Sequence, residues 1–251
     1  MTLLPEHLDT MAALLLIAAS MGTSFLTAAF GIGGGMVLIA IMAVLLPPVA
    51  LIPVHGVVQL GSNFGRVMVM ARHVERKAIL PFTAGSLAGA ALGGALFVQF
   101  PPWAIQVGIA GFIAWSVLGR LPAIGRGHVL AAGAISSFLT MFFGATGSFV
   151  AALVKGMQLS PQPYVATHGA LMALQHLLKS VVFGFLGFAF ASWLPLIAGM
   201  ILSGFIGTVI GRYLLARMGH RYFQPILNVI LLVLAARLAW SGVEGMLAGS
   251  G

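Results

Sequence analysis

Phe30-Gly31-Ile32-Gly33-Gly34-Gly35-Met36 interrupts an apolar run that begins at Leu8 and reaches Leu46. Four of the five residues from 31 to 35 are glycine. Each glycine inside a helix costs about 1 kcal/mol relative to alanine, so a helix is poorly served by this stretch. In hydrocarbon the N–H and C=O groups released by a break find no water. Irregular backbone survives there only when buried in protein or lining a cavity. The stretch therefore predicts two helical limbs, Leu8–Phe30 and Met36–Leu46, joined by a bend at membrane depth, with Pro47-Pro48 stopping the second. That second limb reaches only about 17 Å, half a bilayer. Its restart near Met36 would aim free N–H groups at whatever sits beside the bend.

Composition supports a bilayer setting. Of 251 residues, 60% are hydrophobic and 6% charged, and the mean hydropathy is +1.09. Soluble chains carry about 25% charged residues, so the chain reads as a polytopic membrane protein whose first partner is lipid. The absence of cysteine excludes disulfides, thiolate metal sites and a cysteine nucleophile. The net charge of +8 comes from 12 Lys+Arg against four acids. In an apolar chain such charge sets topology, and we expect no nucleic-acid partner. Glu6 and Asp9, with no Lys or Arg, precede the first apolar stretch, so it is read as a retained helix and not a cleaved signal.

Further spans are expected at Leu51–Ala71, Ala78–Phe97 and Trp103–Leu118. The second of these carries Gly85, Gly89 and Gly93, a small-residue stripe for close helix packing. The second half then repeats the first. Phe25-Leu26-Thr27 through Gly31 recurs as Phe138-Leu139-Thr140 through Gly144 at an offset of 113, where His55-Gly56 also falls on His168-Gly169 and Arg66 on Lys179. Near an offset of 114, Gly85 falls on Gly199 and Gly93 on Gly207. The duplication predicts a second hairpin over Val129–Leu159, broken near Gly144–Ser148, then Tyr164–Phe190, Trp193–Leu215 and Phe223–Val243. The basic loops Arg72–Lys77, Arg120–Arg126 and Arg212–Arg221 belong in the cytoplasm by the positive-inside rule, with Trp103, Trp193 and Trp240 at the outer interface. That order requires oppositely oriented halves. The expected fold is an all-α integral membrane protein of two inverted-topology repeats. Each repeat is a glycine-broken re-entrant helical hairpin plus three transmembrane helices. The repeats span residues 1–121 and 128–251, joined by a cytoplasmic linker at 122–127, with both termini periplasmic. Such repeats place a substrate site near the midplane, where the breaks meet.

His55, Gln59, Asn63 and Arg66 are spaced by four, four and three, which puts them on one helix face. Their repeat partners His168, Gln175, His176 and Lys179 make a similar stripe. No carboxylate lies inside a span, since Glu6, Asp9, Glu75 and Glu244 are all in tails or loops. A buried cation without a partner is costly, so the missing counter-charge is expected to be an anionic substrate. Snorkelling of Arg66 and Lys179 to the interface is the alternative. The hairpin tips would add Gly33, Gly34 and Gly35 from the first break and Thr146, Gly147 and Ser148 from the second. With no membrane-buried acid, coupled protons would have to use His55 or His168. A metal held by His55, His168 and His176 in a membrane-embedded enzyme is a further alternative. Nothing in the sequence asks for a cofactor, and it carries no signal for oligomeric state. Gly33-Gly34-Gly35 is no phosphate loop, because no Gly-Lys-Ser/Thr follows it.

The first hairpin with Pro47 downstream, its second copy Phe143-Gly144-Ala145-Thr146-Gly147-Ser148 with Pro161, and the duplicated layout resemble the sulfite exporter TauE/SafE family of membrane permeases. The resemblance covers nearly the whole chain. It implies movement of sulfur-containing anions such as sulfite and sulfonates across the bacterial inner membrane. The second copy departs from the glycine-rich form at Thr146 and Ser148. The expectation is a permease carrying a small anion by alternating access, with an anion channel on the same scaffold as the other transport reading.

Overall fold

The computed structural model describes residues 8–30, 33–97, 100–119, 124–214 and 223–249. Gly31 and Ile32 of the first break, and most of the basic loops expected at 120–126 and 212–221, lie outside the described residues. Every regular element among the described residues is helical. The long elements are α1 (Thr10–Phe30), α2 (Gly34–Leu45), α3 (Pro48–Met70), α4 (Arg76–Phe97), α5 (Pro102–Leu118), α6 (Val129–Phe143), α7 (Gly147–Gly156), α8 (Pro161–Phe185), α9 (Leu194–Leu214) and α10 (Phe223–Gly249). Four stretches are long and apolar enough to cross a membrane: Thr10–Ala28, Arg76–Phe97, Phe190–Gly211 and Asn228–Ala248. Leu80, Phe185, Leu202 and Trp240 stand exposed on the outside, as side chains facing lipid do.

The breaks fall where glycine makes a turn possible. Gly33 has φ 102° and Gly144 has φ 72°, a region that costs a side-chain-bearing residue about 1–2 kcal/mol. The limbs are unequal. α1 has 21 residues and α2 has 12, while α6 has 15 and α7 has 10. At 1.5 Å per residue α1 reaches about 32 Å, enough to cross alone, and α7 about 15 Å. The restarts come at Gly34, two residues before the expected Met36, and at Gly147, within the break expected near Gly144–Ser148. The glycines at the tips are therefore themselves first-turn residues. α2 ends at Leu45, just before Pro47-Pro48 as expected, and Pro48 also opens α3 as Pro161 opens α8, because a first-turn N–H has no intrahelical acceptor to lose.

Four helix pairs carry the packing: α4 on α6, α1 on α9, α5 on α10 and α3 on α8. A Cβ on Gly85 or Gly89 would land on the carbonyls of Leu130 or Ala134 in α6. The matching contacts run from α9 to α1. Ser203 Oγ donates to Ile17 O at 2.8 Å, and a Cβ on Gly207 or Gly211 would land on Met21 O or Phe25 O. Gly85, Gly89 and Gly93 thus correspond to Ser203, Gly207 and Gly211, 118 residues on. The offset of 114 read from the sequence is one helical turn short. A stripe repeating every four residues matches itself after a slip of one turn, and only the contacts choose between the two registers.

Candidate functional site

A cavity of about 870 Å³ opens among α1, α2, α3, α7, α8 and the ends of α5 and α10. Lys155 and Gly156 form an exposed part of its wall, and Asn63, Arg66 and His168 form a buried part. Of the residues singled out from the sequence, Gly33, Gly35, Gln59, Asn63, Arg66, Gly147, Ser148 and His168 line it. Arg66 leaves α3 and runs along α8. A Cβ on Gly169 would stand 3.5 Å from Arg66 Cδ. The guanidinium donates from Nη1 to Asn63 Oδ1 at 3.1 Å, while the buried Nε has no partner. Asn63 is held in turn, donating from Nδ2 to Gln59 O at 2.8 Å. His168 donates from Nε2 to Gly147 O at 3.0 Å, tying α8 to the start of α7. Gly147 and Ser148 are the first residues of α7, so their N–H groups lack intrahelical acceptors. Ser148 Oγ is also buried without a partner. Guanidinium, hydroxyl and helix N-terminus together make a wall suited to a negative charge.

The other expected residues do not reach this cavity. Gly34 is sealed under α1, where a Cβ would fall on Thr23 O and Thr27 Oγ1. His55, Thr146, Gln175, His176 and Lys179 form a separate closed layer, none more than 1% exposed. Gln175 donates from Nε2 to Ser136 O at 3.1 Å and to Thr146 Oγ1, which itself donates to Ser136 O at 3.3 Å. Lys179 Nζ donates to Gly144 O at 3.1 Å. His55 donates from Nε2 to Gly35 O at 3.0 Å, mirroring His168. The repeated His-Gly pair thereby acquires a structural meaning. Each histidine ties its helix to the hairpin of its own half. Each glycine lies against the cation of the other half: a Cβ on Gly56 would stand 2.8 Å from Lys179 Cε, whereas one on Gly169 would make only an ordinary contact with Arg66. Neither cation snorkels: Arg66 is 6% exposed and Lys179 is 0%. Their joint contribution to one site, expected from the sequence, is corrected by this geometry. Arg66 faces the cavity, and Lys179 is turned to a helix end behind it.

A family model described as sulfite exporter TauE/SafE matches residues 15–238. The chain belongs to this family. The comparison with curated proteins finds no match. TauE/SafE chains are membrane transporters, and the long apolar helices accord with a multi-pass permease of this kind. Among the described residues no three His, Asp or Glu side chains converge to hold a metal ion. His55 and His176 meet edge-on, with ring centroids 5.9 Å apart, and the Nε2 atoms of His55 and His168 are engaged by carbonyls.

Several lining residues of this TauE/SafE chain escape sequence reasoning. Thr27 belongs to the repeated Phe-Leu-Thr stretch and reaches the wall from α1. Tyr164 stacks on His168 with ring centroids 6.4 Å apart and planes 11° from parallel. Its position one turn before His168 was the available signal. Ser116 on α5 and Asn228 on α10 arrive from helices whose own sequences carry no polar stripe. Lys155, near the end of α7, also lines the cavity.

Proposed function

We propose that this chain carries a small anion, an organosulfonate or a sulfite-like sulfur oxyanion, by alternating access between two inverted halves. The observation that carries the reading is Arg66, buried without a carboxylate on the wall of the cavity that the N-terminal turn of α7 also lines. Asp9 precedes α1 and Glu75 lies in a loop; Glu244, expected in the tail, instead lies within the spanning stretch Asn228–Ala248 of α10, where it is exposed, accepts from Trp240 Nε1 at 2.7 Å and does not line the cavity. The charge most readily supplied to Arg66 is then the substrate's. Apolar neighbours Met36, Val117 and Leu231 suit the organic part of a sulfonate. The volume falls in the range of small-molecule sites, about 300–1,000 Å³.

Ser116, Val117, Gly125, Lys155 and Asn228 lie near the chain segments assigned to the cytoplasm by charge, so the cavity is read as facing inward. The reciprocal packing of α4 on α6 and α1 on α9 supports a two-fold relation between the halves. The repeat boundaries remain 1–121 and 128–251, with the periplasmic termini and inner-membrane location following from the same orientation. The closed layer behind the cavity favours a carrier over an open pore. If protons are coupled, His168 is the histidine within reach of the substrate.

Calorimetric titration of the purified chain with methanesulfonate, sulfite and acetate tests the reading. Sulfonate or sulfite should bind, and Arg66→Gln should weaken binding by about 10- to 100-fold, the worth of a charge-assisted hydrogen bond. Equal binding by the variant, or binding of neither sulfur anion, would refute it.

A further inference from the structure

The closed layer repeats the chemistry of the cavity wall. Arg66 and Lys179 occupy equivalent positions in the two halves, as do His168 and His55. One member of each pair faces the cavity and the other does not. Lys179 Nζ and Thr140 Oγ1 both donate to Gly144 O at 3.1 Å. Gly144 closes α6, so the amine sits at the negative end of that helix, whose dipole partly offsets its charge. Beside it, His55 Nδ1 and both ring nitrogens of His176 are buried with no hydrogen-bond partner. Unpartnered buried nitrogens destabilise the state that holds them. His176 keeps a ring N–H that nothing accepts, next to a cation that rests on one carbonyl, and that pair is built for another occupant.

We propose that Lys179 and His176 form a second anion-binding station beside His55, closed in this conformation, that receives the anion from Arg66 when the opposite face opens. The reciprocal packing supplies the route. Arg66 lies against Gly169 and Lys179 against Gly56, so the exchange of roles between halves exchanges the two cations. In the other state Gly144 O yields the amine to the anion, as Arg66 Nε is now left free for one. The two cations therefore act in succession, not as a joint clamp. This inference rests on the anion-carrier reading above.

The chain has no cysteine, so single cysteines can be placed in it directly. Ser148→Cys sits on the open cavity, and Ser180→Cys sits beside Lys179 at the α3–α8 contact. A membrane-impermeant thiol reagent is applied to either side of vesicles holding the full chain, with and without methanesulfonate and sulfite. Ser148→Cys should label from the side of the basic loops. Ser180→Cys should resist at rest and label from the opposite side when the anion is turning over. In parallel, Lys179→Gln should keep equilibrium binding within about twofold of wild type while exchange across proteoliposomes falls at least about tenfold. Lys179→Arg, which keeps the cation, should exchange faster than Lys179→Gln. Labelling of Ser180→Cys from the same side as Ser148→Cys, or never under turnover, would overturn the proposal. So would a Lys179→Gln chain that exchanges normally or loses binding as fully as Arg66→Gln. If Lys179→Gln fails to fold, the labelling alone decides. If Arg66→Gln binds like wild type, the anion reading itself has failed, and that result does not depend on Lys179.

Discussion

Gly34 and Gly147 are equivalent positions in the two hairpins, and they should respond oppositely to the same substitution. Both open a short helix without a positive φ, so alanine is allowed on backbone grounds. Gly34→Ala would drive a methyl onto the Thr23 carbonyl and the Thr27 hydroxyl, two atoms already joined by a 2.9 Å hydrogen bond. A carbonyl inside a helix cannot rotate away, so α2 must lift off α1. Overpacking of this kind costs about 1–3 kcal/mol, against about 0.5–1 kcal/mol regained from removing a helical glycine. Gly147→Ala meets only Met172 Cε at 3.7 Å and His168 Nε2 at 4.0 Å, ordinary contact distances. Its net effect on stability should be neutral or slightly favourable. The net loss is about 0.5–2 kcal/mol, so at about 2–4 °C per kcal/mol for a chain of this size Gly34→Ala should melt roughly 1–8 °C below wild type and Gly147→Ala at or above it. Both are read by thermal unfolding in detergent, followed by size-exclusion chromatography. Equal melting temperatures for the two variants, or a larger loss at Gly147, would refute the packing argument. Gly147→Ala should show its defect in anion binding instead, because the methyl crowds the α7 turn that lines the cavity.

Gly144→Ala should destabilise by about 1–2 kcal/mol from its positive φ alone, and by more because the new methyl would meet Ile39 Cδ1. Ile39→Ala in the same chain should recover part of the loss in melting temperature but not the backbone share. Gln175→Leu strips the donor from Ser136 O and Thr146 Oγ1 in a fully buried site, so stability should fall by about 1–3 kcal/mol with binding at Arg66 little changed. A binding loss without a stability loss would place Gln175 at the substrate. Arg66→Lys should bind the anion more weakly than wild type yet better than Arg66→Gln, since an amine keeps the charge but loses the planar fork; titration of the three chains side by side ranks them.

Much of the helix layout was legible because each boundary has a local cause. Glycine runs break helices, prolines start them, and apolar stretches of spanning length need lipid or a core. The boundaries moved by a few residues where one signal allowed two readings. Pro48 and Pro161 could end one helix or begin the next. The Gly85-Gly89-Gly93 stripe could match its repeat in either of two registers a turn apart. The residues of the wall were legible on α3, where Gln59, Asn63 and Arg66 share a face. Ser116 and Asn228 were not, because a single polar residue on an apolar helix announces nothing until a neighbour brings it to a cavity.

Residue order alone determined that the chain lives in a bilayer, that its halves repeat, and that Arg66 and Lys179 fall at matched positions in apolar helices. Those properties follow from composition and spacing, which do not depend on how the helices meet. Only the tertiary structure decided that Arg66 looks into open space while Lys179 rests on the end of α6. The two residues are matched in sequence, and each extends across the α3–α8 contact toward a glycine of the other half. Where a long side chain ends is set by the helix it crosses, and that neighbour lies more than a hundred residues away.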